Sequence, residues 1–194
     1  VGFTILQPTH LLWINLITDS LPALAMATEK AEPGIMNRKP RSSRSGIFSE
    51  GLGLDCIVQG VIISVLTLVS YFIGHYVEYG TFDISQVLAN PAAGIDGMTM
   101  AFLTLSMVEM FHSFNMRSRR ESIFKLKSQN IWLWGSFVVS LILTYIAIET
   151  PLSQAFGFAE IGVKEYAIAM GLAFAIIPLM EIYKAVMRTI EKQH

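Results

Sequence analysis

The sequence has little cysteine and little charge. Only one of its 194 residues is a cysteine, Cys56, which excludes an internal disulfide and a metal cluster built on thiolates. Charged residues make up 15% of the chain, against about 25% in an average soluble domain. The formal net charge of −1 gives a general nucleic-acid binder no positive excess to work with. With 53% apolar residues the chain is too hydrophobic to be disordered. Also missing are a P-loop phosphate cradle, an internal repeat and a cleavable signal pattern before the first apolar stretch.

The few charges are segregated. Residues 56–77 contain no Asp, Glu, Lys or Arg, and neither do residues 131–148. Residues 98–114 contain only Glu109, residues 10–28 only Asp19, and residues 166–180 are clear of charge. A helix needs about 20 residues to cross a hydrocarbon core of ~30 Å. The pattern predicts an all-α, polytopic membrane bundle of five transmembrane helices. The spans fall at about 10–28, 54–77, 98–115, 131–149 and 165–187. A soluble all-helical protein is the alternative, but five such runs leave too little polar surface to dissolve it.

Five spans put the two chain ends on opposite sides. One side, residues 29–55, 115–130 and 181 onward, carries 13 of the 14 basic residues, and the other carries only Lys164. The positive-inside rule makes the basic side cytoplasmic, so the N-terminus is expected outside and the C-terminus inside. Trp132, Trp134, Tyr76 and Tyr79 fit interfacial belts. The chain opens on Val1 rather than Met, and is expected to be a piece of a longer protein.

The first span is the most informative. Asn15, Thr18 and Asp19 stand at i, i+3 and i+4, one face of an α-helix. Asp19 falls near mid-membrane, where a carboxylate is expensive. Pro22 has no N–H and crowds the carbonyl of Thr18, so the helix is expected to break near Asp19 and Pro22. A carboxylate, an amide oxygen, a hydroxyl and a freed carbonyl within one turn are ligands for a hard cation such as Ca²⁺. The plainer reading is a kinked helix whose Asn and Asp hold its neighbours. Glu109 repeats the problem at mid-depth in the third span. It must be neutralised by a cation, a proton or a buried partner.

The stretch Leu11-Leu12-Trp13-Ile14-Asn15-Leu16-Ile17-Thr18-Asp19-Ser20-Leu21-Pro22-Ala23 resembles the sixth transmembrane helix of P-type cation-transporting ATPases. Calcium pumps of the sarcoplasmic-reticulum type are the nearest subgroup. Ile35-Met36-Asn37-Arg38-Lys39-Pro40-Arg41 resembles the cytoplasmic loop after that helix. Ile177-Pro178-Leu179-Met180-Glu181-Ile182 is similar to the tenth helix. The resemblance makes residues 1–194 a C-terminal transmembrane domain, helices six to ten.

What the resemblance implies is specific. Asn15, Thr18 and Asp19 would ligate the transported ion, and Glu109 would complete a site from the eighth helix. Sodium/potassium and proton/potassium pumps usually carry an acidic residue where this chain has Asn15, so the departure favours Ca²⁺. The chain lacks the Asp-Lys-Thr-Gly phosphorylation loop. ATP and Mg²⁺ would be handled by an N-terminal part of the same polypeptide, holding helices one to five and the cytoplasmic domains, and this piece alone would be inactive. Proton counter-transport and a plasma-membrane location fit the family. A non-enzymatic accessory or channel-like bundle is the competing reading.

Other residues are read as structural. His112 is expected to pack at a helix end, Glu181 and Lys184 to pair at i, i+3, and His10 and His75 to lie near the outer interface without special role. The ten methionines are packing or lipid-facing residues. The basic loop from Lys30 to Arg44 reads as a topology signal in contact with anionic headgroups, or as a contact to the phosphorylation domain.

Overall fold

A proline at the first helical position starts the chain's first helix, because its missing N–H is not needed there. In the computed structural model this helix runs in three pieces: α1 (Pro8–Trp13), a π-helical segment (Ile14–Asp19) and α2 (Ser20–Met26). The structure describes residues 4–31, 36, 46, 48–49, 51–83, 85–89, 94–126 and 128–191. The Ile35–Arg41 motif, apart from Met36, and most of the basic loop to Arg44 lie outside the described residues. Further helices are α3 (Leu52–Tyr79), α4 (Ser85–Ala89), α5 (Ile95–Met116), α6 (Ile131–Glu149), α7 (Leu152–Phe156), α8 (Val163–Phe174) and α9 (Ile176–Glu191), with a short 3₁₀ turn at Ile123–Lys125. All regular secondary structure among the described residues is helical.

The break between α8 and α9 falls at Ala175, three residues before Pro178, which has no N–H to give to the carbonyl of Phe174. The start of α6 is fixed by Asn130, whose side-chain oxygen accepts from the Leu133 amide at 3.1 Å.

The bundle is built around α5. Of its 22 residues 15 are buried, and α3, α6, α8, α9 and the first helix all pack against it. Phe102, Leu103, Met107 and Met110 meet Ile148, Ala169, Ala173, Ile176 and Met180 in the main apolar core. Against α3 the approach is limited by backbone. A Cβ on Gly97 would lie 2.7 Å from the Tyr71 carbonyl, and one on Gly74 would lie 2.7 Å from the Gly97 Cα. Small residues bring helix backbones into this contact. Nearby, Thr104 donates to the Ser70 hydroxyl at 2.6 Å and Ser70 donates to the Met100 carbonyl at 3.1 Å. These bonds satisfy hydroxyls that would be costly if left unpaired in the interior.

Among the described residues three stretches are long and apolar enough to cross a membrane: Leu52–Tyr79, Ile131–Glu149 and Val163–Ile190. Five were expected. The two that fall short are the first helix and α5, and both are more polar than the others. The first helix carries Asn15, Thr18 and Asp19, and α5 carries Thr99, Thr104, Ser106, Glu109, His112, Ser113 and Asn115. A helix enclosed by others need not be apolar, because its side chains meet protein rather than lipid.

Candidate cation site

The irregular part of the first helix lies just upstream of Pro22. A π segment closes its turns from i to i+5, which widens the helix and changes which residues share a face. Thr18 turns into the bundle and is buried, while Asn15 and Asp19 stay on the exposed side. Two side chains occupy carbonyls of this segment: Thr18 donates to Ile14 at 2.9 Å and Ser20 to Asn15 at 2.8 Å.

Glu109 stands opposite on α5. Thr18 Oγ1 donates to its Oε2 at 3.3 Å, and the Asp19 and Glu109 carboxyl groups lie within hydrogen-bonding reach of each other. Two carboxylates at that range need a proton or a cation between them. They open onto a cleft of about 260 Å³ lined by Thr18, Asp19, Pro22, Glu109, His112 and Ser113, among others. Of the four residues singled out in the sequence, the structure therefore brings together Thr18, Asp19 and Glu109. It leaves Asn15 outside the cleft lining, on the exposed face of the π segment.

The set is incomplete as a cage. Among the described residues no three His, Cys, Asp or Glu side chains are grouped closely enough to hold a metal ion. Two carboxylates and a hydroxyl fall short of the six to eight oxygens Ca²⁺ takes. His112 also lines the cleft, and its Nε2 donates to Gln59 Oε1 on α3 at 3.2 Å. It packs near the end of α5 as expected, but nothing in the spacing of Gln59 and His112 signals this pair.

Both ends of the first helix are tied. At its start His10 is fully buried: it accepts from the Gln7 amide at 3.2 Å, donates to the Phe156 carbonyl at 2.7 Å and stacks on Phe158. His75 is likewise buried, bonded to the Asp83 carbonyl at 2.9 Å. Past the other end, Glu29 accepts two bonds from Arg117, at 3.1 Å from Nε and 2.8 Å from a terminal nitrogen. This hydrogen bond from Arg117 holds the Glu29 carboxyl below its usual range, against burial, which pushes it up.

A second ionic cluster lies nearby. Asp55, at the start of α3, takes bonds from Arg119 at 2.5 Å, Arg120 at 3.1 Å and the Tyr183 hydroxyl at 2.6 Å. The expected pairing of Glu181 with Lys184 gives way to longer reaches. Glu181 accepts from the Ile123 amide at 2.9 Å, and Lys184 donates to the carbonyls of Asn115 at 2.6 Å and Glu121 at 3.2 Å. The connection between α5 and α6 offers backbone groups that these side chains satisfy better than each other.

A bundle of helices apolar enough to cross a membrane, wrapped about a polar central helix that presents a carboxyl to a second one, defines an integral membrane protein of the cation-handling kind. The chain belongs to the cation-transporting ATPases, whose C-terminal family model matches residues 3–186. Among its relatives, calcium-transporting ATPase 1 of Bacillus cereus is 34% identical over 182 residues, covering 91% of this chain and 20% of that protein. A calcium-transporting ATPase of Listeria monocytogenes is 36% identical over 186 residues, covering 95% of this chain and 19% of that protein. The endoplasmic reticulum-type calcium-transporting ATPase 3 of Arabidopsis thaliana is 27% identical over 200 residues, covering 94% and 20%. The chain thus spans about a fifth of the length of the curated relatives it matches. The resemblance read from Leu11–Ala23 holds at the level of the family.

Proposed function

We propose that this chain is the C-terminal membrane region of an ATP-driven calcium pump, similar to the sarcoplasmic-reticulum type, and supplies part of its intramembrane cation site. The observation that carries the reading is the meeting of Thr18 and Asp19 with Glu109 between the first helix and α5. Carboxylate and hydroxyl oxygens suit a hard divalent cation. Asn15, on the exposed face beside Asp19, joins the same ion when the rest of the polypeptide covers that face.

In this reading the first helix and α5 cross the membrane with the three apolar spans, so five helices traverse it. The N-terminus lies outside and the basic end of the bundle is cytoplasmic. ATP and Mg²⁺ bind in the N-terminal part of the polypeptide, and phosphoryl transfer occurs there. After the ion leaves toward the outside, Asp19 and Glu109 take up protons, which gives counter-transport. The protein resides in the plasma membrane.

The test uses the full-length polypeptide. Asp19→Asn and Glu109→Gln keep the shape of each side chain and remove its charge. Both are expected to abolish calcium-activated phosphorylation from ATP while leaving expression and helix content, read by circular dichroism, unchanged. Normal calcium dependence in both variants would overturn the proposal and leave a non-enzymatic bundle.

A further inference from the structure

The two carboxyl groups of the cation site sit on separate helices, so their spacing is set by whatever holds those helices together. At mid-depth the core packing of Ile14 and the contacts of Thr18 and Asp19 to Glu109 do this, and the polar ones are the site itself. The next fastening lies at the basic end. Glu29 follows α2 through a tightened last turn, in which Thr28 and Glu29 amides bond the carbonyls of Ala25 and Met26 at 3.1 and 3.0 Å. Glu29 therefore follows directly on the helix that carries Asp19, ten residues or about 15 Å further along. Arg117 caps the end of α5, eight residues or about 12 Å beyond Glu109.

Arg117 grips Glu29 with two bonds, and its side chain is only 4% exposed. It also donates to the Ser128 carbonyl at 2.6 Å. Asn130 completes the joint: its Nδ2 donates to the Ala25 carbonyl at 3.0 Å and to Glu29 Oε2 at 2.9 Å, while its Oδ1 caps α6. A two-pronged guanidinium–carboxylate pair fixes orientation as well as distance, which a lysine in its place would not.

We propose that Glu29, Arg117 and Asn130 form a latch that positions the cation site from outside it, by setting the spacing between the helix of Thr18 and Asp19 and the helix of Glu109. The latch touches no ion. It acts through the two helices, so loosening it lets the carboxyls part and weakens cation binding without removing a ligand. This rests on the pump reading above. The Asp55 cluster provides the internal control: it is equally ionic and lies at the same end, but it ties α3 to the α5–α6 connection and α9, and neither partner of the latch is in it.

In the full-length polypeptide, Arg117→Ala is expected to raise the Ca²⁺ concentration for half-maximal phosphorylation about tenfold, with the plateau at saturating Ca²⁺ retained. Arg117→Lys falls between it and the unaltered protein. Asp55→Asn lowers thermal stability but leaves the calcium dependence in place. If Arg117→Ala does not fold, Arg117→Lys and Glu29→Gln carry the same expectation. A folded latch variant with unchanged calcium dependence overturns the latch, and so does an Asp55→Asn shift of the same size. An unaltered protein without calcium-activated phosphorylation overturns the pump reading itself.

Discussion

Helices α5 and α6 have similar lengths, 22 and 19 residues, and opposite characters. In α6 only six residues are buried, and Ile131, Trp132, Trp134, Val138, Val139, Ile142 and Tyr145 point outward. In α5 most residues are buried, and the helix accommodates threonines, serines, a histidine and a glutamate. By composition α6 qualifies as a membrane span and α5 does not. The difference teaches that a helix enclosed by its neighbours can be far more polar than one whose outer face is left exposed. A central helix can be polar because its neighbours hydrogen-bond it and exclude lipid.

The contrast can be broken most severely from the α5 side. Gly97→Val drives a branched side chain against the Tyr71 carbonyl, already 2.7 Å from where a Cβ would lie. Overpacking of this kind costs about 1–3 kcal/mol or more. We expect a lowered Tm and a smaller folded yield of the full-length protein; an unchanged Tm would show that α3 and α5 separate freely.

A smaller effect is expected on acidification. Because Glu29 has a lowered pKa in the folded state, its pair with Arg117 contributes stability above the ordinary carboxylate value of 4.5, and that contribution is lost as pH falls through the lower, folded value. Thermal unfolding followed between neutral and strongly acidic pH should show this part of the decline removed in Glu29→Gln. An identical acid decline in the variant would remove Glu29 from the account. The smallest effect belongs to the outer face of α6. Val139→Leu is exposed on that face and is expected to change stability by less than about 0.5 kcal/mol. A large loss there would mean that protein rather than lipid covers this face.

Much of this was legible in the sequence, and for a physical reason. A carboxylate inside an apolar run stands out because it is expensive, so Asp19 and Glu109 were singled out from the sequence, and the structure places them beside one cleft. Helix positions followed from the charge-free runs, with ends within a few residues of α3, α5 and α6. The tertiary pairs were not legible. Glu29 and Arg117 stand 88 residues apart, and their charges, counted with all others at that end, read only as a sign of sidedness. Glu181 and Lys184 show the opposite error: helical spacing suggested a local pair, whereas both side chains satisfy backbone groups of a distant turn. The π segment was invisible too, since an α-helical spacing assigned Asn15, Thr18 and Asp19 to one face, whereas Thr18 and Asp19 line the cleft and Asn15 does not.

The π segment has one more consequence. The first helix is anchored by His10 at its start and by Glu29 beyond its finish. A rod held at both ends cannot slide, and a tightly wound one cannot twist in its middle. The extra residue in the winding of Ile14–Asp19 lies between these anchors, so the wide turn sets how Thr18 faces Glu109 while the ends stay where they are held.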